Sequence, residues 1–146
     1  MSLSKDPIFL RNIIIENYDN PNKKISKPLE DFNYVKLQNK SSTCIDDITV
    51  YIKTNNKVIE DLLFSGIGCA ISTSSTNIVC NLLIGKTISE AFIILDNYLK
   101  MINGEKYDEE LLDELIAFHK VNEQTNRIKC ASIGINAIYN CLKDIK

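Results

Sequence analysis

The chain has no excess of either charge, no long apolar run and no paired cysteine knuckle. Its 146 residues carry 17 Lys and Arg against 19 Asp and Glu, a net charge of −2. A balance this even offers no polybasic face for nucleic acid or for an anionic membrane surface, so neither partner is expected. No apolar run approaches the roughly 20 residues that a spanning helix needs. The opening Met1-Ser-Leu-Ser-Lys-Asp6 sets no basic segment before an apolar core, so no signal peptide is expected. There is one histidine, and there is no internal repeat or low-complexity tract. Five cysteines cannot all pair within one chain. The expected setting is the cytoplasm, where spaced thiols stay reduced and more often bind metal or do chemistry. The length suits one domain with a real core, so residues 1–146 are expected to form a single domain.

The most informative stretch is Phe64-Ser-Gly-Ile-Gly-Cys-Ala-Ile-Ser-Thr-Ser-Ser75. Its glycines permit backbone angles and close approaches that a Cβ resists. Ser72 to Ser75 supply cap-type side chains, and Ile71, Ile78, Val79, Leu82 and Leu83 form a helical stripe. Cys69 is therefore predicted on a tight strand-to-helix turn, where unpaired N–H groups favour a thiolate. Such a thiol suits a nucleophile or a metal ligand. A small buried thiol at a packed turn would leave the same pattern.

The rest of the chain supplies a frame. Ile8 to Tyr18 is predicted as a short helix, broken by Asn20-Pro21-Asn22, and Asn22 to Phe32 as a loop. Tyr34–Gln38, Ile48–Lys53 and Val58–Ser65 read as strands, with a hairpin turn at Asn55-Asn56. Ala70 to Ile84 reads as a helix stopped by Gly85. Thr87-Ile-Ser-Glu90 matches a capping box opening a helix that runs to about Ile102. Asp108–Phe118 is predicted as an acidic helix, Val121–Asn126 as a loop and Cys130–Ile145 as a last helix. Three consecutive strands followed by helices predict an α+β fold, a three-stranded antiparallel sheet with helices packed on it.

Three cysteines fall at element boundaries on this reading: Cys44 between the first two strands, Cys69 at the turn and Cys130 at the mouth of the last helix. Asp46, two residues after Cys44, can face the same side of an extended loop end. Three thiolates and a carboxylate suffice for a tetrahedral Zn²⁺ site, although spacing alone does not bring them together. Cys80 and Cys141 fall within helical stretches and read as fillers. His119 reads as a solvated helix-end residue, and the acids from Asp108 to Glu114 as a solvated face.

These residues resemble a known family. Gly66-Ile-Gly-Cys-Ala-Ile-Ser-Thr-Ser-Ser75 is similar to the second-cysteine motif of the NifU N-terminal, IscU and SufU group of iron–sulfur assembly proteins. Asn17-Tyr-Asp-Asn-Pro21 resembles their His-Tyr-x-Asn-Pro segment, and Cys44-Ile-Asp46 stands in place of their Cys-Gly-Asp. Gly104-Glu-Lys-Tyr-Asp108 and Arg127-Ile-Lys-Cys-Ala131 resemble the SufU branch. The resemblance implies a sheet-and-helix fold and a zinc ion held by residues matching Cys44, Asp46, Cys69 and Cys130. It also implies that Cys44 accepts persulfide sulfur from a cysteine desulfurase and serves downstream iron–sulfur assembly machinery. In IscU-type relatives the same cysteines cradle a transient [2Fe–2S] cluster, helped by a His where this chain has Lys129. Arg127 is a candidate to pair with Asp46 or to screen the thiolates, and a merely solvated arginine would leave the same pattern. Ile45 replaces the family's glycine and stiffens the loop beside Cys44. If that stiffening ended sulfur transfer, the zinc would be purely structural.

Overall fold

The computed structural model describes residues 5–42 and 45–145. Helix α1 (Pro7–Asp19) opens with the Asp6 side chain accepting from the Ile8 N–H and with Pro7 in the first turn, where a missing N–H costs nothing. A loop then leads to β1 (Val35–Lys40), β2 (Asp47–Asn55) and β3 (Val58–Ile67), an antiparallel sheet in the order β1-β2-β3. Register is set by pairs such as Leu37 with Val50 and Asp47 with Ile67. The hairpin turn falls on Asn56 and Lys57, both at positive φ, one residue later than the sequence suggests. Asn and its neighbour tolerate that left-handed geometry, which matches the strand twist.

Ile48, Val50 and Ile52 alternate onto the inner face and are almost fully buried. Helices α2 (Ala70–Leu83) and α4 (Thr125–Ile145) pack on the sheet, and α1 packs against α2. Every residue of α2 from Ser72 to Cys80 is buried, including its hydroxyls. Those hydroxyls bond the helix's own carbonyls, Ser74 to Ala70 at 2.6 Å and Thr76 to Ser72 at 2.7 Å, so none is left unsatisfied. Their small size lets α4 come close. A Cβ on Gly134 would meet Thr76 Oγ1 at 1.9 Å. The Asn77 side chain ties α2 to the segment before the sheet, giving to Asn17 at 2.8 Å and accepting from the Lys23 N–H at 2.9 Å. The edge of β3 is closed in turn by Lys23 and Ile25, which exchange backbone bonds with Phe64.

Thr87 and Glu90 form the expected capping box at the start of α3 (Ile88–Ile102), with bonds of 3.1 and 2.9 Å. The predicted acidic helix is absent. Residues 109–118 form two 3₁₀ turns, Glu109–Leu111 and Asp113–Phe118. Asp113 sits at φ 48° and interrupts the right-handed path, and Glu109, Glu110, Asp113 and Glu114 would repel at helical spacing. Leu112, Leu115, Ile116 and Phe118 still bury themselves, and Asn97 clamps the segment by bonding both backbone groups of Asp108. The stretch after it is also more ordered than predicted. Val121–Glu123 is a further 3₁₀ turn, and α4 begins at Thr125, five residues before Cys130.

Candidate metal centre

The turn between β3 and α2 is shaped by two glycines. Gly66 adopts φ 117°, and a Cβ there would fall 2.0 Å from the Asp47 carbonyl oxygen. A Cβ on Gly68 would fall 2.4 Å from Ser72 Oγ. The chain therefore folds tightly enough to make Cys69 the N-cap of α2. Its Sγ lies 3.5 Å from both the Ser72 N–H nitrogen and the Ser72 hydroxyl. Donors at a helix N-terminus stabilise negative charge on that sulfur.

Asp46 stands at the entry to β2 and is 1% exposed. One carboxylate oxygen accepts from the Cys69 backbone N–H at 2.9 Å, and the other lies 4.0 Å from Cys69 Sγ. Cys130 comes from the second turn of α4. The ligand atoms of Asp46, Cys69 and Cys130 all lie within 4.8 Å of one another. Burial pushes the Cys130 thiol well above its ordinary value, and neighbouring Cys69 and Asp46 push it further. A further negative charge there is costly without a cation, and a bound cation reverses that preference. Two sulfurs and a carboxylate oxygen form a donor set that suits zinc.

Of the five candidate residues, the structure therefore brings three together. Cys44 lies outside the described residues. Arg127 is exposed on α4, one turn before Cys130, and takes part in no ion pair among the described residues, where Lys5–Glu109 and Lys53–Glu60 are the pairs formed. Cys130 is not at a helix mouth as expected, because α4 starts earlier. Only Cys69 has the helix N-terminus. Cys80 and Cys141 are fully buried in the core.

Cys69 and Cys130 open onto a groove of about 840 Å³ between α1, α2, α4 and the 3₁₀ segment. Lys5, Arg11, Lys120 and Arg127 line it, with His119, Ile14 and Ile71. His119 is half-buried here rather than solvated. Its imidazole is held below the ordinary value by burial first, then by Lys5 and Lys120. Sequence reading missed this basic lining, because its members come from separate elements and share no local pattern.

An α+β fold that gathers two thiols and a carboxylate at the strand-to-helix turn defines a small domain with a metal-ready thiol site. Residues 10–144 match the model of the NifU-like N terminal domain, and the chain belongs to that family. It is 30% identical over 123 residues to the iron–sulfur cluster assembly scaffold protein IscU of Thermotoga maritima, covering 84% of this chain and 86% of that one. It is 32% identical over 129 residues to the zinc-dependent sulfurtransferase SufU of Bacillus subtilis, covering 88% and 85%. Among solved structures it resembles FiSufU of Fervidobacterium islandicum AW-1, described as a candidate assembly scaffold for the SUF system. That match has a TM-score of 0.78 at 30% identity over 89% of this chain and 93% of that one. No described helix is long and apolar enough to cross a membrane.

Proposed function

We propose that this chain, acting as one unit over residues 1–146, is a cytoplasmic iron–sulfur assembly protein that accepts sulfur from a cysteine desulfurase and passes it to the assembly machinery downstream. The convergence of Asp46, Cys69 and Cys130 within 4.8 Å carries the reading. These ligands are far apart in sequence, and a relative 32% identical is named a zinc-dependent sulfurtransferase. In this reading Cys44, Asp46, Cys69 and Cys130 hold one zinc ion. When bound, that ion would keep the thiols deprotonated at neutral pH, the form that exchanges sulfur. Cys44 is the acceptor. Its thiolate attacks the terminal sulfur of the desulfurase persulfide, the S–S bond breaks, and the desulfurase cysteine leaves as a thiolate. Cys44 is left as the persulfide, with no net oxidation. Arg127 screens the negative charge gathered by the ligands. Ile45, beside Cys44, is exposed.

The test is metal content together with desulfurase turnover, wild type against Cys44→Ala. About one zinc per chain and a stimulation lost in the variant are expected. Equal stimulation by the two proteins would reject the acceptor role and leave a zinc that serves folding alone. The IscU relative favours a second reading, in which a [2Fe–2S] cluster is built as cargo on the same ligands. A chromophore from anaerobic reconstitution that transfers intact to an apo-ferredoxin would select it. Lys129, exposed beside Cys130, supplies no imidazole for such a cluster.

A further inference from the structure

The groove beside the candidate ligands is charged in a way the ligand set does not account for. Its lining among the described residues holds Lys5, Arg11, Lys120 and Arg127 and no carboxylate, in a chain of net charge −2. Arg127 lies three residues before Cys130 on α4, and Lys5 is bonded to Glu109. Arg11 of α1 and Lys120 at the end of the 3₁₀ segment both line the groove, are exposed and take part in no ion pair among the described residues. His119 shares this lining, and its imidazole is depressed by burial first and then by Lys5 and Lys120, with Glu109 and Glu123 opposing.

The floor between these cations is apolar, built from Leu10, Ile14 and Ile71. On α1, Arg11 is bracketed by Ile8 at 70% exposure and Ile15 at 43%. Large aliphatic side chains left in water around a charged rim mark a surface that another molecule covers. The groove of about 840 Å³ also takes in the start of α2, from its N-cap Cys69 to Ile71. An extended peptide fits such a trough, with alternate side chains turned toward the apolar floor and the cationic rim.

We propose that this groove receives an extended, acid-bearing segment of the sulfur-donating enzyme, its carboxylates meeting Arg11 and Lys120 and an apolar side chain seated against Ile14 and Ile71. The inference rests on the sulfur-acceptor reading and adds the chemistry of the partner. Opposite charge steers the donor segment to the side of the molecule where Cys69 and Cys130 emerge. The acidic 3₁₀ segment carrying Glu110, Asp113 and Glu114 repels the same segment elsewhere.

The test pairs Arg11→Glu/Lys120→Glu with wild type in the desulfurase assay and in a direct binding assay. The concentration giving half-maximal stimulation should rise on the order of tenfold, with the saturating rate, zinc content and melting temperature retained. Added salt should weaken wild type and barely affect the variant. In the direct assay, a fluorescein-labelled peptide alternating Glu and Leu should bind wild type and lose binding to the variant, while its Lys counterpart binds neither. Should the double variant fold poorly, Arg11→Gln/Lys120→Gln should show a smaller shift in the same direction. An unchanged half-maximal concentration and salt response, with transfer still lost in Cys44→Ala, would overturn the groove and leave the acceptor reading standing. Full transfer by Cys44→Ala would sink the acceptor reading instead, and the peptide arm would then decide the groove alone. Self-association of wild type abolished by the double variant would assign the face to a second copy of this chain and overturn the proposal.

Discussion

Helices α2 and α4 each carry one cysteine near the start and one about three turns further along. Cys69 and Cys80 are eleven residues apart along α2, and Cys130 and Cys141 are eleven apart along α4, about three turns or roughly 16 Å in each case. Nearer the helix starts, Cys69 and Cys130 are half-buried and share Asp46, and Cys69 also accepts from Ser72. Further along, Cys80 and Cys141 are fully buried, and the Cys141 thiol donates to the Val35 carbonyl at 3.6 Å. Burial drives the Cys80 thiol far above its ordinary value and Cys141 up to about 11. Both pairs are thiols on the same two helices. What separates them is whether backbone N–H groups, a carboxylate and a solvent path converge on the sulfur or apolar side chains surround it.

The largest expected effect breaks the pairs apart. Cys69→Ser or Cys130→Ser should lower zinc affinity by about 100-fold or more, since even losses outside the coordinating atoms cost roughly 10–100-fold. Cys80→Ala and Cys141→Ala should leave zinc content at the wild-type level. Elemental analysis of the four variants reads the difference directly, and zinc loss in either core variant would erase the distinction. Next in size is the joint that holds the two helices in register. Gly134→Val drives a side chain into Thr76, which a Cβ alone would approach at 1.9 Å. Both helices are packed on their far sides, so little relief is available. A loss of about 2–3 kcal/mol is expected from chemical denaturation.

The core pair should answer to a smaller measure. Cys80→Ala removes a sulfur from a site with no exposure and should cost about 1–2 kcal/mol. In zinc-stripped but folded protein, iodoacetamide should label Cys69 well before Cys80 or Cys141, read by mass spectrometry of the digested chain. Fast labelling of Cys80 would mean that the core around it opens readily and that its burial is not what protects it.

The sheet was legible because its strands alternate onto one buried face, so Ile48, Val50 and Ile52 mark themselves. The capping box was legible because Thr87 and Glu90 are a literal local signal. The start of α4 was not, since Thr125, Asn126 and Arg127 are all exposed and show no apolar period. The acidic segment misled because Leu112, Leu115 and Ile116 keep helical spacing although Asp113 turns the chain left-handed between them. At the site, Cys69 could be placed from its own neighbours, the two glycines before it and the hydroxyls after. Its meeting with Asp46 and Cys130 is a tertiary fact that no spacing encodes, and only family resemblance anticipated it. The basic groove left no trace in the sequence, because Lys5, Arg11 and Lys120 become neighbours only once α1 and the 3₁₀ segment pack beside α2.

The smallest effect concerns pH. The Cys141 thiol rises from an ordinary value of 9.0 to about 11 on folding, through burial first and Asp144 second. The folded chain thus holds this proton more tightly than the unfolded one. The stability that it contributes is intact below about pH 9 and is lost as pH climbs toward about 11. Tyrosines and lysines titrate over the same interval, so the raw pH profile of the wild type cannot isolate one thiol. Cys141→Ala removes this thiol and leaves the others in place. The stability gap between wild type and Cys141→Ala should therefore be constant from pH 7 to 9 and narrow from pH 9 to 11, measured by denaturant titration at each pH. A gap that stays constant throughout would mean that water reaches Cys141 in the folded state, and that the core around it is less closed than its packing implies.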